Sequence, residues 1–272
     1  MRRVFSDPVL NDLFLRQGYV VVDLLDSSEC ADMRAKYEAI HGSMKPETFF
    51  TTTHSLDRSY RRVCNDAIVD SLLPHVQDLL DDYLPMYGNF MVKPSGSHSV
   101  CYLHQDWSFV DESSFRTVNV WVALQDTDLK NGCIHVIPGS QNLPFPVRGR
   151  NISRVFDDAV DQMVDRLLIP VPLKEGQGVI FDSAILHYSP NNNSDRMRVA
   201  ASLMLYPSDA HLVHYVYDKE NPDQITKYNV GKEFFIEFAA AENYSSANGE
   251  LKTIIQDKQS FESIQSMLSE YA

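Results

Sequence analysis

A chain of 272 residues that is 44% hydrophobic can bury one large core, and a single domain is expected. Its formal net charge of −13 argues against a nucleic-acid or anionic-membrane partner, because both need a clustered basic field. Cys30, Cys64, Cys101 and Cys133 show no CxxC spacing and read as reduced core thiols, which suits a cytoplasmic location.

Met1-Arg2-Arg3 runs into Ser6, Asp7 and Pro8, and no apolar stretch reaches the length of a signal peptide or membrane span, so no membrane association is expected. Residues 7–17 predict an amphipathic helix with Leu10, Leu13 and Phe14 on one face, closed by Gly18. The run from Tyr19 to Leu25 reads as a buried strand. Ser27 or Ser28 is expected to cap a helix reaching about residue 41, and another helix is expected over 66–83.

From Tyr87 the pattern changes to short β-rich runs at 88–93, 99–106, 116–124, 132–137, 170–173, 177–181, 184–188 and 198–206. Such runs predict a sandwich or jelly roll. Residues 140–169, with Pro144, Pro146 and Gly149, read as a long insertion between strands of the kind that covers active sites. The tail carries a helix predicted over 259–270 that should pack against the sheet.

His104-Gln105-Asp106 is the most informative tripeptide, since on a strand the side chains of His104 and Asp106 share a face and can share a metal ion. An isolated pair of this kind is more often structural. His187, before a polar loop, supplies the third ligand expected from a distant strand. Two imidazoles and one carboxylate leave three octahedral positions open for a chelating cosubstrate and oxygen, which points to iron(II). Arg198, opening the next strand, can grip a carboxylate with two parallel hydrogen bonds, as the distal carboxylate of 2-oxoglutarate would require.

These blocks, together with Trp121-Val-Ala-Leu124, Asn131-Gly132 through Pro138-Gly139-Ser140, and His187-Tyr188-Ser189 with the later Arg198, resemble the phytanoyl-CoA dioxygenase family over roughly residues 10–210. The resemblance implies a mainly β protein with flanking helices around a double-stranded β-helix (jelly-roll, cupin-like) core. It implies one oxygenase domain over 1–272: a helical part to about 86, a β-helix core over about 87–210 and an extension from about 211. It also implies that His104, Asp106 and His187 bind iron, that Arg198 and Ser189 hold 2-oxoglutarate, and that Asn89 and Trp121 line the cosubstrate site. Asn89 stands where many relatives carry Gln. Gln141 replaces a His that often follows the Pro-Gly-Ser turn, and His135 replaces an apolar residue.

The implied reaction consumes 2-oxoglutarate and O2, releases succinate and CO2, and oxidises a small organic substrate, with hydroxylation as the default and ascorbate as a candidate reductant. Asp106 disfavours halogenation, whose enzymes lack this carboxylate. The acidic chain disfavours a coenzyme A thioester and leaves a specialised metabolite as the preferred substrate class. Two other readings stand beside it: a cupin-like metal enzyme that does not use 2-oxoglutarate, and a non-catalytic jelly-roll module that binds a ligand. Oligomeric state is left open.

Several residues have competing readings. His98 lies in a polar turn and is expected to be solvated, and Arg196 is expected on a loop. His135 either packs in the core or faces the pocket. Arg148, Arg150 and Arg154 either draw an anionic substrate group to the pocket mouth or form a solvated loop face. Phe49, Phe50, Tyr60, Trp107 and Phe109 either shape an apolar pocket or fill the core.

Overall fold

The computed structural model describes residues 1–42, 46–96, 98–217, 224–238, 248–253 and 257–271. Its first half runs α1 (Pro8–Gln17), β1 (Tyr19–Asp23), α2 (Ser27–His41), β2 (Phe50–Thr51), α3 (Arg58–Val76), β3 (Tyr83–Lys93), β4 (Cys101–His104), β5 (Val118–Ala123) and β6 (Ile134–Val136). There follow α4 (Val160–Arg166), β7 (Ile169–Val171), β8 (Gln177–Asp182), β9 (His187–Ser189), β10 (Arg198–Pro207), β11 (Val213–Tyr217), β12 (Gln224–Asn229), α5 (Phe234–Glu237), β13 (Glu250–Thr253) and α6 (Phe261–Ser269). Among these, a six-stranded antiparallel sheet has the order β1-β8-β5-β10-β3-β2, a four-stranded sheet has β4-β9-β6-β7, and a three-stranded sheet has β11-β12-β13.

Side chains alternate across a strand, so each strand of the large sheet sends two different sets in opposite directions. Val118, Val120, Val122, Ile180, Leu203 and Phe90 face one way and pack with Phe14, Met33, Ile68 and Leu72 of the first three helices. Trp121, Ala123, Val179, Phe181 and Ala200 face the other way and pack with Ile134, Val136 and Val171 of the small sheet. Every residue of β5 and β10 is buried as a result. Each such aliphatic side chain contributes about 1.5–3 kcal/mol relative to exposure.

Several boundaries differ from the sequence reading. The cap of α2 is Asp26, whose side chain accepts from Ser28 N and Glu29 N while Glu29 returns a bond to Asp26 N; Ser28 merely donates to it. The helix expected over 66–83 is α3, capped by Asp57 and ending at Val76. Leu80 continues the apolar spacing, but it bridges to Phe5 and Asp82 takes a positive φ of 57°, so Tyr83 already begins β3. The terminal helix α6 places Phe261 and Ile264 in one apolar cluster with Leu143, Phe156 and Met163 of the 140–169 insertion and with Leu103 of β4. That insertion carries two 3₁₀ turns and α4.

Gly18 is required where it stands. Its φ is 81°, and a Cβ there would come within 2.3 Å of Gln141 Oε1. Gln141 donates from Nε2 to Leu15 O, so the residue that departs from the family pattern ties the Pro-Gly-Ser turn to α1. Among the described residues no helix is long and apolar enough to cross a membrane.

Candidate metal centre

His104 and His187 are register partners across the β4–β9 pair, and Asp106 lies just beyond the end of β4. One ligand atom from each of the three falls within 4.8 Å of the other two. His104 Nε2 and His187 Nε2 stand 3.8 and 3.9 Å from Asp106 Oδ1. Backbone carbonyls settle which ring nitrogen faces inward: His104 Nδ1 lies 2.7 Å from Tyr102 O, and His187 Nδ1 lies 3.0 Å from Ile185 O. A carbonyl can only accept, so each Nδ1 carries the proton and each Nε2 keeps its lone pair for a cation. Burial first, and then His187, lower the His104 pKa to about 4 against the opposing pull of Asp106, so this imidazole is neutral at neutral pH.

The large sheet supports the carboxylate. Asn119 Nδ2 donates to Asp106 Oδ2 at 3.3 Å, and Asn119 Oδ1 accepts from Ser202 Oγ at 2.7 Å. Phe181 packs against the His187 ring with centroids 4.9 Å apart.

Beside the triad lies a small cavity of about 40 Å³ whose wall includes Arg198, Ser189 and Trp121. Arg198 is 2% exposed, lies 5.1 Å over the Trp121 ring, and donates from Nη1 to Gly132 O. Its buried Nε has no hydrogen-bond partner. Burial depresses its pKa to about 10, so the guanidinium is still charged at neutral pH and is only partly compensated. A carboxylate at this end of the cavity would meet that need. Ser189 Oγ donates to Gly132 O at 2.7 Å. Asn89 lies on the wall of a larger cavity of about 430 Å³ and accepts a 2.6 Å bond from Thr51 Oγ1.

The competing readings separate. Lys93 is fully buried, but its ammonium donates to the carbonyls of Ser99, Ser189 and Pro190, which commits it to holding the turn after β9. Burial, and then Arg198, bring its pKa down to about 7. Arg196 and His98 are exposed. His135 faces away from the His104–Asp106–His187 cluster: Ile134 and Val136 point into the sheet interface, while His135 pairs with Tyr188 and sits 6.0 Å from its ring. Phe49, Trp107 and Phe109 line the 430 Å³ cavity, whereas Phe50 and Tyr60 pack with the core.

Sequence reasoning missed Asn119 and Ser202, although the alternation that turns Trp121 inward also turns Asn119 inward. It missed Thr51, Thr53 and His54, which line the larger cavity from a 3₁₀ turn and its approach, and Phe235 of α5, which lies beyond the residues that carry the family pattern.

A family model described as phytanoyl-CoA dioxygenase (PhyH) matches residues 14–200. Phytanoyl-CoA dioxygenase domain-containing protein 1 of Danio rerio is 26% identical over 181 residues, covering 64% of this chain and 60% of that protein. The match therefore spans less than two thirds of that relative's length. The crystal structure of HygX from Streptomyces hygroscopicus, with nickel, 2-oxoglutarate and hygromycin B bound, has a TM-score of 0.54 at 17% identity and covers 75% of this chain and 88% of HygX. The epimerase SnoN, in complex with Fe3+, alpha ketoglutarate and nogalamycin RO, has a TM-score of 0.54 at 21% identity, with 76% and 87% covered. These likenesses agree with the cupin-like double-stranded β-helix expected from the sequence.

Proposed function

The chain belongs to the phytanoyl-CoA dioxygenase family, and from that premise we propose that it is an iron(II)- and 2-oxoglutarate-dependent dioxygenase that hydroxylates a small organic metabolite. The observation that carries the reading is the His104, Asp106 and His187 cluster set beside a buried arginine whose Nε lacks a partner. Two imidazoles and one carboxylate on one side of a cation form a facial donor set suited to iron(II). With iron(II), 2-oxoglutarate and O2 in place, one oxygen atom would enter the substrate C–H bond and the other would enter succinate as CO2 leaves.

The chain's own residues bind and orient. The Tyr102 and Ile185 carbonyls fix the two imidazole tautomers, and Asn119 holds one oxygen of Asp106 so that the other faces the imidazoles. Arg198 and Ser189 would receive the distal carboxylate of 2-oxoglutarate, with Trp121 beneath the guanidinium and Asn89 on the neighbouring wall. One domain over 1–272 would carry all of this, and four free cysteines suit a reducing cytoplasm.

The 430 Å³ cavity bears on the substrate. Tyr87, Trp107, Phe109 and Phe235 give it aromatic walls, and Thr51, Thr53 and Ser202 give it neutral polar ones. The cation on its wall, Arg154, pairs with Asp157 at 2.7 Å. An uncharged, ring-bearing specialised metabolite fits this lining better than a coenzyme A thioester, whose phosphates need fixed cations. HygX and SnoN, which carry hygromycin B and nogalamycin RO, support a small-molecule substrate.

Incubation of the iron-loaded protein with 2-oxoglutarate and O2 tests the reading. Succinate should form slowly alone and faster with a neutral ring-bearing substrate. Succinate no faster than in a metal-free control would contradict it.

A further inference from the structure

β4 is the edge strand of the four-stranded sheet, and its pairing with β9 is irregular between Cys101 and His104 and goes no further than His104. The ladder therefore stops at the first metal ligand and leaves the backbone of Gln105 and Asp106 without strand support. Two guanidiniums from the 140–169 insertion meet this backbone instead. Arg154 Nη1 donates to Leu103 O at 2.6 Å, on the peptide that precedes His104. Arg148 Nε donates to Asp106 O at 2.7 Å, on the peptide that follows Asp106. The two bonds bracket the three-residue ligand segment.

Arg148 is itself fixed. Its Nη1 and Nη2 form a two-pronged pair with Glu112, both side chains being mostly buried. Ser108 closes the ring: its N–H donates to Arg148 O at 3.0 Å, and its Oγ accepts from Arg148 N at 3.1 Å and donates to Glu112 at 3.0 Å. Because Glu112 neutralises Arg148, the guanidinium acts on Asp106 through geometry rather than through net charge. Arg154 lies 5.5 Å over the Phe156 ring and pairs with Asp157. Arg148 is mostly buried, unlike a solvated loop face, whereas Arg154 is exposed and also lies on the wall of the larger cavity.

We propose that Arg148 and Arg154 are positioning residues, a clamp by which the insertion sets the backbone of the His104–Asp106 segment and hence the geometry and affinity of the metal site. The proposal rests on the metal-centre reading above. Losses of about 10- to 100-fold in metal affinity are typical when an outer partner of a ligand is removed.

Cobalt(II) is the probe, added to metal-free wild-type protein and to the Arg148→Gln, Arg148→Lys and Arg154→Gln variants. Affinity and the visible d–d bands are read together with Tm. Arg148→Gln should bind cobalt(II) about 10- to 100-fold more weakly and shift the bands. Arg148→Lys should recover part of both, since an ammonium still reaches the Asp106 carbonyl. Arg154→Gln should show the same change at smaller size, and its partly exposed side chain makes it the variant to rely on if Arg148→Gln does not fold. Folded variants with wild-type affinity and bands, or a lower Tm with both unchanged, would overturn the clamp. Wild-type protein that bound no cobalt(II) would instead bring down the metal-centre reading and the clamp with it.

Discussion

The six-stranded sheet holds strands of up to eleven residues and buries both faces, whereas the strands of the four-stranded sheet are three or four residues long and two of them reach the His104–Asp106–His187 cluster. Long ladders with apolar faces give the large sheet most of its stability, and they carry Arg198, Trp121 and Asn119 as rigid passengers. The short strands form few ladder bonds, so His104, Asp106 and His187 depend on individual contacts for their positions. Carbonyls orient the imidazoles, an amide holds the carboxylate, and guanidiniums hold the backbone between them. The helix-packed core and the His104–Asp106–His187 cluster thus reside on different sheets, and substitutions should separate them.

The largest effect is expected on the small sheet. His187→Ala should reduce metal-dependent succinate formation to background while the urea midpoint of the metal-free protein moves little, because a ligand is lost and no core contact with the helices is touched. Arg198→Ala comes next: metal binding stays near wild type, and cosubstrate affinity falls by about 2–4 kcal/mol, roughly 30- to 1000-fold, since one partner of a buried charged pair is gone. A titration with 2-oxoglutarate at fixed metal measures it. On the other side of the comparison, Leu203→Ala, fully buried against the helices, should cost about 2–5 kcal/mol in a urea unfolding curve and leave metal affinity of the folded fraction unchanged.

The smallest effect lies at the corner where β8 of the large sheet turns towards β9 of the small one. Asp182 is 2% exposed, lies 3.3 Å from Arg116 and accepts a 2.8 Å bond from Ala184 N. Burial nevertheless pushes its carboxyl up to about 6. A carboxyl raised in the folded state holds its proton where the unfolded chain has released it. Its contribution to stability is therefore full below about pH 4 and is lost as pH rises through 6. Relative to Asp182→Asn, wild-type stability should fall by up to about 3 kcal/mol between pH 4 and 7, read from unfolding curves at each pH.

The same division explains what the sequence revealed. The β-rich runs over 116–124 and 198–206 marked β5 and β10 closely, because burial on both faces leaves a near-continuous apolar record. His104, Asp106, His187 and Arg198 were legible because residue types suited to metal and carboxylate binding stand at characteristic spacings. Arg148 and Arg154 were not legible in role, since a bond to a backbone carbonyl selects no partner side chain and leaves no periodic trace. The hairpin of β11 and β12 and the strand β13 escaped notice as well, lying beyond the family pattern in a polar tail. His135 was left between core and pocket because a three-residue strand is too short for alternation to fix its register.

The most direct test of the account is an anaerobic titration of metal-free protein, first with iron(II) and then with 2-oxoglutarate. The account predicts one iron per chain and a weak visible charge-transfer band that saturates at one 2-oxoglutarate per iron. Iron binding with no band at any 2-oxoglutarate concentration would contradict it.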